Sequence, residues 1–138
     1  MIAGVLTACK PKDYEGMYND DAKIASSDDI CSKKSSTTNY IAGVHKQKTK
    51  VFNGVESIRT VTVPENPSIK LDLKINGGKF KIVLVSENKT VYLLTSESTD
   101  GEKILHTELP AGKYKLKLVG VKANFELSIV CTVFQWNE

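Results

Sequence analysis

Few residues in this chain have side chains suited to covalent or metal chemistry. There are three cysteines, Cys9, Cys31 and Cys131, and two histidines, His45 and His106. A zinc site needs thiolates or imidazoles at short spacing, usually a C-x-x-C pair or a His pair, and neither occurs. Acyl transfer needs a serine or cysteine activated by a histidine and an acid, and no nucleophile-elbow motif is present. Cys131 falls in phase with apolar neighbours, where a thiol is inert. His106 shares the parity of Ile104 and Glu108, which predicts a hydrogen-bonded surface or seam histidine. The doublets Asp20-Asp21 and Asp28-Asp29 lack the alternation, central glycine and closing glutamate of an EF-hand loop, and are read as solvating charge. Glu97, Asp100 and Glu102 are hard oxygen donors within one loop. Calcium is an option there, against a solvated loop. These residues predict a non-enzyme with no metal and no cofactor.

The elements that hold them are strands. Between Ala111 and Phe134, Tyr114, Leu116 and Leu118 alternate with Lys113, Lys115 and Lys117. Beyond Val119 to Ala123, Phe125, Leu127, Ile129, Cys131 and Val133 resume the alternation. A period of two puts the apolar side chains on one face of a pleated ribbon, so this stretch predicts a hairpin with its turn at Gly120. Similar runs cover Ile41 to Phe52, Ser57 to Val63, Ser68 to Ile75, Lys79 to Ser86, Thr90 to Thr95 and Glu102 to Leu109. The turns between them are assigned to Asn53-Gly54, Pro64 to Pro67, Asn76-Gly77-Gly78, Glu87-Asn88-Lys89, Ser96 to Gly101 and Pro110-Ala111-Gly112. About eight short antiparallel strands at regular spacing indicate an all-β sandwich or barrel.

Composition divides the chain. Lys10 to Asn39 carries five lysines and six acids, a net of −1. Tyr40 onward carries fourteen Lys or Arg and ten acids, a net of +4. That field is too weak and scattered for nucleic acid. No apolar run approaches the roughly 20 residues that span a bilayer as a helix. Residues 10–39 mix Asp, Lys and Ser with few large apolar residues and predict a polar, largely disordered tether. Within it Tyr14, Met17, Tyr18, Ala22 and Ile24 can form one short amphipathic turn that docks on the domain. Residues 40–138 form the β domain.

Leu6-Thr7-Ala8-Cys9 resembles the lipobox that ends a bacterial lipoprotein signal peptide. The resemblance implies that residues 1–9 are a signal remnant, that Cys9 receives a diacylglycerol, and that the protein is extracytoplasmic and membrane-anchored. Eight residues are short for such a leader, so it also implies that Met1 is an internal start. From about Val51 to Trp136 the chain resembles the small β-sandwich domains of Gram-positive surface proteins, of the pre-peptidase C-terminal, jelly-roll-like type. Phe52-Asn53-Gly54, Gly77 to Ile82, Leu109-Pro110-Ala111-Gly112-Lys113-Tyr114 and Asn124 to Leu127 carry that likeness. It implies a jelly-roll-like sandwich serving as an accessory or binding module. With Cys9 lipidated, Cys31 and Cys131 remain as an even pair. Their disulfide would close a loop of about 100 residues, while a core cysteine needs no partner.

Two surfaces are candidates for binding. Lys70, Lys74, Lys79, Lys81, Lys113, Lys115 and Lys117 point outward by phase and can form a basic sheet face for teichoic acid or anionic lipid. They can equally protect exposed strands from aggregation. Tyr92, Phe134 and Trp136 can stack on a sugar, whereas Tyr114 is in phase with the core. The expected function is a non-catalytic module of a surface lipoprotein whose ligand is a cell-wall polymer, glycan or protein. The alternative is a carbohydrate- or protein-recognition module of a secreted enzyme system.

Overall fold

A computed structural model describes residues 13–26 and 29–131. The signal remnant with Cys9, and the aromatic residues Phe134 and Trp136, lie outside that range. Seven strands are described: β1 (Ile30–Ser32), β2 (Ser35–Ile41), β3 (Val44–Val63), β4 (Ser68–Ser86), β5 (Val91–Thr95), β6 (Lys103–His106) and β7 (Gly112–Val130). All pairings are antiparallel, and β7 is the central strand, flanked by β3 and β4. The chain is an all-β antiparallel sandwich, as its strand spacing predicts.

The construction of the sandwich differs from the expectation. Asn53-Gly54, Asn76-Gly77-Gly78 and Val119 to Ala123 are not hairpin turns. Each is a bend inside one continuous strand, in β3, β4 and β7 respectively. The three bends are in register: Gly54 lies opposite Gly120, Gly120 opposite Phe80, and Gly77 opposite Asn124. Register shifts interrupt the ladders there, between Thr49 and Gly54 in β3 and between Ile75 and Lys79 in β4. A bulge adds a residue, and one added residue reverses the phase of a period-two pattern. The apolar phase therefore changes across each glycine just as it would across a turn.

The result is one sheet creased into two layers. The first half-sheet contains β2, residues 44–50 of β3, 123–130 of β7, 69–75 of β4, and β6. The second contains β1, residues 53–63 of β3, 112–120 of β7, 79–86 of β4, and β5. Residues 64–67 and 107–111 cross between the layers at the end opposite the crease, as in a jelly roll, whereas residues 96–102 cross beside the crease, where Ser98 and Thr99 bond to Ile75 and Leu73. Asn66 and Thr107 donate their amide N–H groups to the carbonyls of Leu109 (2.9 Å) and Pro67 (3.1 Å) and tie two of those crossings together. Inside the crease Phe80 stacks on Phe125 with centroids 4.1 Å apart, and Phe52 meets both rings edge-on. Ile69, Leu71, Leu73, Ile82, Leu84, Leu116, Leu118, Leu127 and Ile129 fill the space between the layers.

Much of the expected tether carries regular structure. Tyr14–Tyr18 forms α1 and Asp21–Ala25 forms α2. Asp13 caps α1 by accepting from the Gly16 amide (2.9 Å), and Asp20 caps α2 by accepting from Ala22 (3.0 Å) and Lys23 (3.3 Å). Asp29 accepts from the amide and the hydroxyl of Ser57, both at 2.8 Å. These aspartates are caps and ties rather than free solvating charge. Five-residue helices do not persist alone. Met17, Ile24 and Ala25 hold them by burying against Val55, Val83, Val85 and Val119 on the outer face of the second half-sheet. Beneath α2 lies Lys117, whose Nζ donates to the carbonyls of Ile24 (2.9 Å) and Ser26 (2.7 Å) and which is only 1% exposed. Its phase points it outward, but the helices cover it there.

Gly54 has φ +102°, and a Cβ there would overlap the Ile30 carbonyl oxygen of β1. Gly54→Ala is expected to lower unfolding free energy by about 2–4 kcal/mol in a urea titration, as strain and a displaced strand combine. The Lys117 ammonium is held below the ordinary lysine range chiefly by burial, with Asp29 opposing and Lys115 and Lys89 adding to the effect. Between its lowered folded pKa and the unfolded value near 10.4, the unfolded chain binds more protons, so this group adds stability as pH rises. The stability of wild type minus that of Lys117→Met should therefore grow as pH rises toward the unfolded lysine value near 10.4, measured by parallel urea titrations.

Candidate functional site

The outer face of the first half-sheet carries an open groove of about 490 Å³. Strand alternation builds it from two cross-strand rows. Asn39, Lys46, Ser128 and Asp72 are register partners across β2, β3, β7 and β4, and Thr37, Lys48, Glu126 and Lys74 form the next row. Three ammoniums and two carboxylates share this floor with hydroxyl and amide groups. None of Lys46, Lys48, Asp72 or Lys74 has an ion-pair or side-chain hydrogen-bond partner among the described residues, and Glu126 accepts only a long bond from Asn76 (3.4 Å). A polar floor with uncommitted donors and acceptors can hydrogen-bond a polyhydroxylated or charged ligand.

Two of its residues, Thr37 and Asn39, fall in the segment assigned to the tether. The signal for β2 is Ala42-Gly43, with φ of +54° and +79°, which makes the two-residue hairpin joining Ile41 to Val44. An Ala at the first position hides it, because such turns favour Asn, Asp or Gly.

On the inner side of the same strands the core is polar. His45, Gln47 and Thr49 are buried, and a register shift separates their phase from that of Phe52. Gln47 Nε2 donates to Thr49 Oγ1 (2.9 Å) and Glu56 Oε1 (3.3 Å), so its oxygen faces His45 Nε2 (2.8 Å). That oxygen can only accept, which places the histidine proton on Nε2. Thr49 continues to Ser36 (2.8 Å), and Glu56 pairs with Lys33 (2.6 Å). Arg59 lies over the Tyr40 ring at 3.5 Å, and its buried Nε has no partner among the described residues. The chain of bonds satisfies buried polar groups where an apolar core would otherwise continue.

The other sequence candidates are dispersed. The seven outward lysines do not make one face. The crease places Lys70 and Lys74 on the first half-sheet and the other five on the second, where Lys117 is buried, Lys79 pairs with Glu15 and Lys81 lies 4.3 Å from the Tyr18 ring centre. His106 is exposed, with Nδ1 2.8 Å from the Ser68 hydroxyl. Tyr92 meets Tyr114 edge-on, and the Tyr114 hydroxyl donates to the Pro110 carbonyl (2.5 Å). In the acidic loop Glu102 pairs with Lys70, and Ser98 and Thr99 bond to β4. No cluster of three metal-binding side chains occurs among the described residues. Cys31 and Cys131 are both free thiols. Cys31 lies opposite Gly54 at the crease, and Cys131 is bonded to Gly43 at the far end of β3. They are not paired, because the long strand between those glycines holds them apart.

No protein-family model matches the chain, and no curated protein does. Among solved structures, one of a family 29 carbohydrate binding module, a variant made to probe ligand recognition, matches with a TM-score of 0.47 and 14% identity, covering 75% of this chain and 74% of that one. A second variant of a family 29 module gives 0.45 and 16%, covering 73% and 76%. A variant complexed with mannohexaose gives 0.44 and 17%, covering 75% and 79%.

The cysteines give a direct check on this geometry. Burial pushes the Cys131 thiol up to about 11, against smaller opposing effects from Arg59 and a backbone hydrogen bond from His45. At pH 8 about one molecule in a thousand then carries the thiolate. A disulfide reagent at that pH should modify exposed Cys31 and spare Cys131 until urea unfolds the chain, as read by peptide mass.

Proposed function

We propose that this chain is the non-catalytic β-sandwich of an extracytoplasmic bacterial surface lipoprotein, anchored through Cys9. Its outer groove binds a polyhydroxylated polymer of the cell envelope. The observation that carries the binding role is the groove itself, with ammonium, carboxylate, amide and hydroxyl groups from four strands on one open floor and almost none committed to each other. Side chains left this way in water exchange solvent for ligand at little reorganisation cost. A sugar hydroxyl both donates and accepts, so a floor of mixed donors and acceptors suits glycans better than one of a single charge sign. The Cys9 lipobox supports the anchored setting, since two acyl chains hold a module at a surface stably.

Calorimetric titration of the full chain with soluble envelope polysaccharides, including wall teichoic acid, tests the groove. Lys46→Ala with Asp72→Ala is expected to weaken binding at least tenfold, worth about 1.4 kcal/mol, without changing the melting temperature. Unaltered affinity in that variant would exclude the groove. Mass spectrometry of the native protein should find a diacylglyceryl group on Cys9, and an intact, unmodified Met1 would remove the anchor.

A further inference from the structure

The anchor and the crease are forced close together. Asp13 caps α1, which packs over the Val55–Val119 pair, one register step from the Gly54–Gly120 pair of the crease. Glu15 also reaches Lys79, which lies opposite Val121 at the crease. Only Lys10, Pro11 and Lys12 separate Cys9 from Asp13. Four Cα steps reach at most about 15 Å, whereas a thirty-residue flexible tether would have a mean reach on the order of 30 Å. A lipid on Cys9 therefore brings the crease to the headgroup layer.

Lysines without counter-charges also gather at the crease. Lys34, Lys50 and Lys122 are exposed there and have no ion pair among the described residues. Their positions follow from the fold: the Lys34 amide donates to the Lys50 carbonyl (3.0 Å), and the Lys122 amide donates to Asn53 Oδ1 (2.8 Å). The nearby acids Glu15 and Glu56 are taken by Lys79 and Lys33. Val51, with φ +52°, lies 39% exposed beside Lys50. Lysines attract anionic lipid strongly only within about a Debye length, about 8 Å in physiological salt. The short link permits that approach.

We propose that the crease is a membrane-docking edge, at which Lys34, Lys50 and Lys122 sit on the phosphates of anionic phospholipid. This rests on the reading of Cys9 as the anchor. The module then stands on its bend, with the groove opening to the side and the connections 64–67 and 107–111 pointing away from the membrane.

The test avoids dependence on natural processing. The full chain carrying Cys31→Ser is coupled through Cys9 to a maleimide lipid in vesicles, and lysine acetylation is read by peptide mass. On phosphatidylglycerol vesicles, labelling of Lys34, Lys50 and Lys122 should fall at least fivefold relative to phosphatidylcholine vesicles, with Lys46 and Lys103 unchanged. High salt or Lys50→Glu with Lys122→Glu should restore labelling at Lys34. Equal labelling on both vesicles overturns the proposal, and so does protection spread equally over Lys46 and Lys103. Unmodified Cys9 in the native protein would remove the anchor while leaving this vesicle result to be judged on its own.

Discussion

The fold depends on three long strands turning the same corner at the same register. A sheet bends sharply only where its ladder is interrupted, and a bulge interrupts it at the cost of one unpaired residue. Here the interruptions in β3, β4 and β7 line up, so the sheet folds along a line rather than twisting apart. Phe52, Phe80 and Phe125 fill the inside of the bend, with the first edge-on to the stacked pair. Aromatic contacts of this kind add on the order of 1 kcal/mol each beyond the area they bury. Gly54 and Gly78, both at positive φ, let neighbouring backbone approach where a side chain would block it.

That corner also sets the limit of what sequence reveals. Strand positions, inward phases and the all-β class were legible because period-two alternation is strong from Ile69 to Ile75 and from Tyr114 to Leu118. The topology was not, because a phase change across a glycine has the same signature for a reversal as for a bulge. Three such changes therefore carry the pattern of turns. The local pattern around Asp13 to Ile24 correctly suggested an amphipathic docking turn, yet composition alone made the surrounding segment look like a tether. Tertiary burial under two short helices overrode that composition. The groove was the least legible feature, since half of its floor comes from strands whose pairing partners are distant in the chain.

The same corner redistributes charge. Alternation predicts outward lysines correctly as a matter of phase, but a face exists only once the sheet is laid out, and the crease divides them between two faces. Lys117 shows the further step. An outward residue becomes interior when another element covers it, and its ammonium then serves as a donor to the end of α2. Lysine suits this place because its long stem reaches the carbonyls while its methylenes lie among the surrounding valines. The polar line of His45, Gln47 and Thr49 is the converse case, an inward row that stays hydrophilic because its members hydrogen-bond one another.

Because β3, β4 and β7 each pass through both layers, neither layer is a separable unit of inheritance. Cutting the gene at any one crease position would sever a central strand and leave its two halves, which belong to different layers, on separate fragments. Duplication, exchange or fusion within this lineage must therefore move the whole sandwich at once. The connections opposite the crease are the places where insertions can accumulate without splitting a strand.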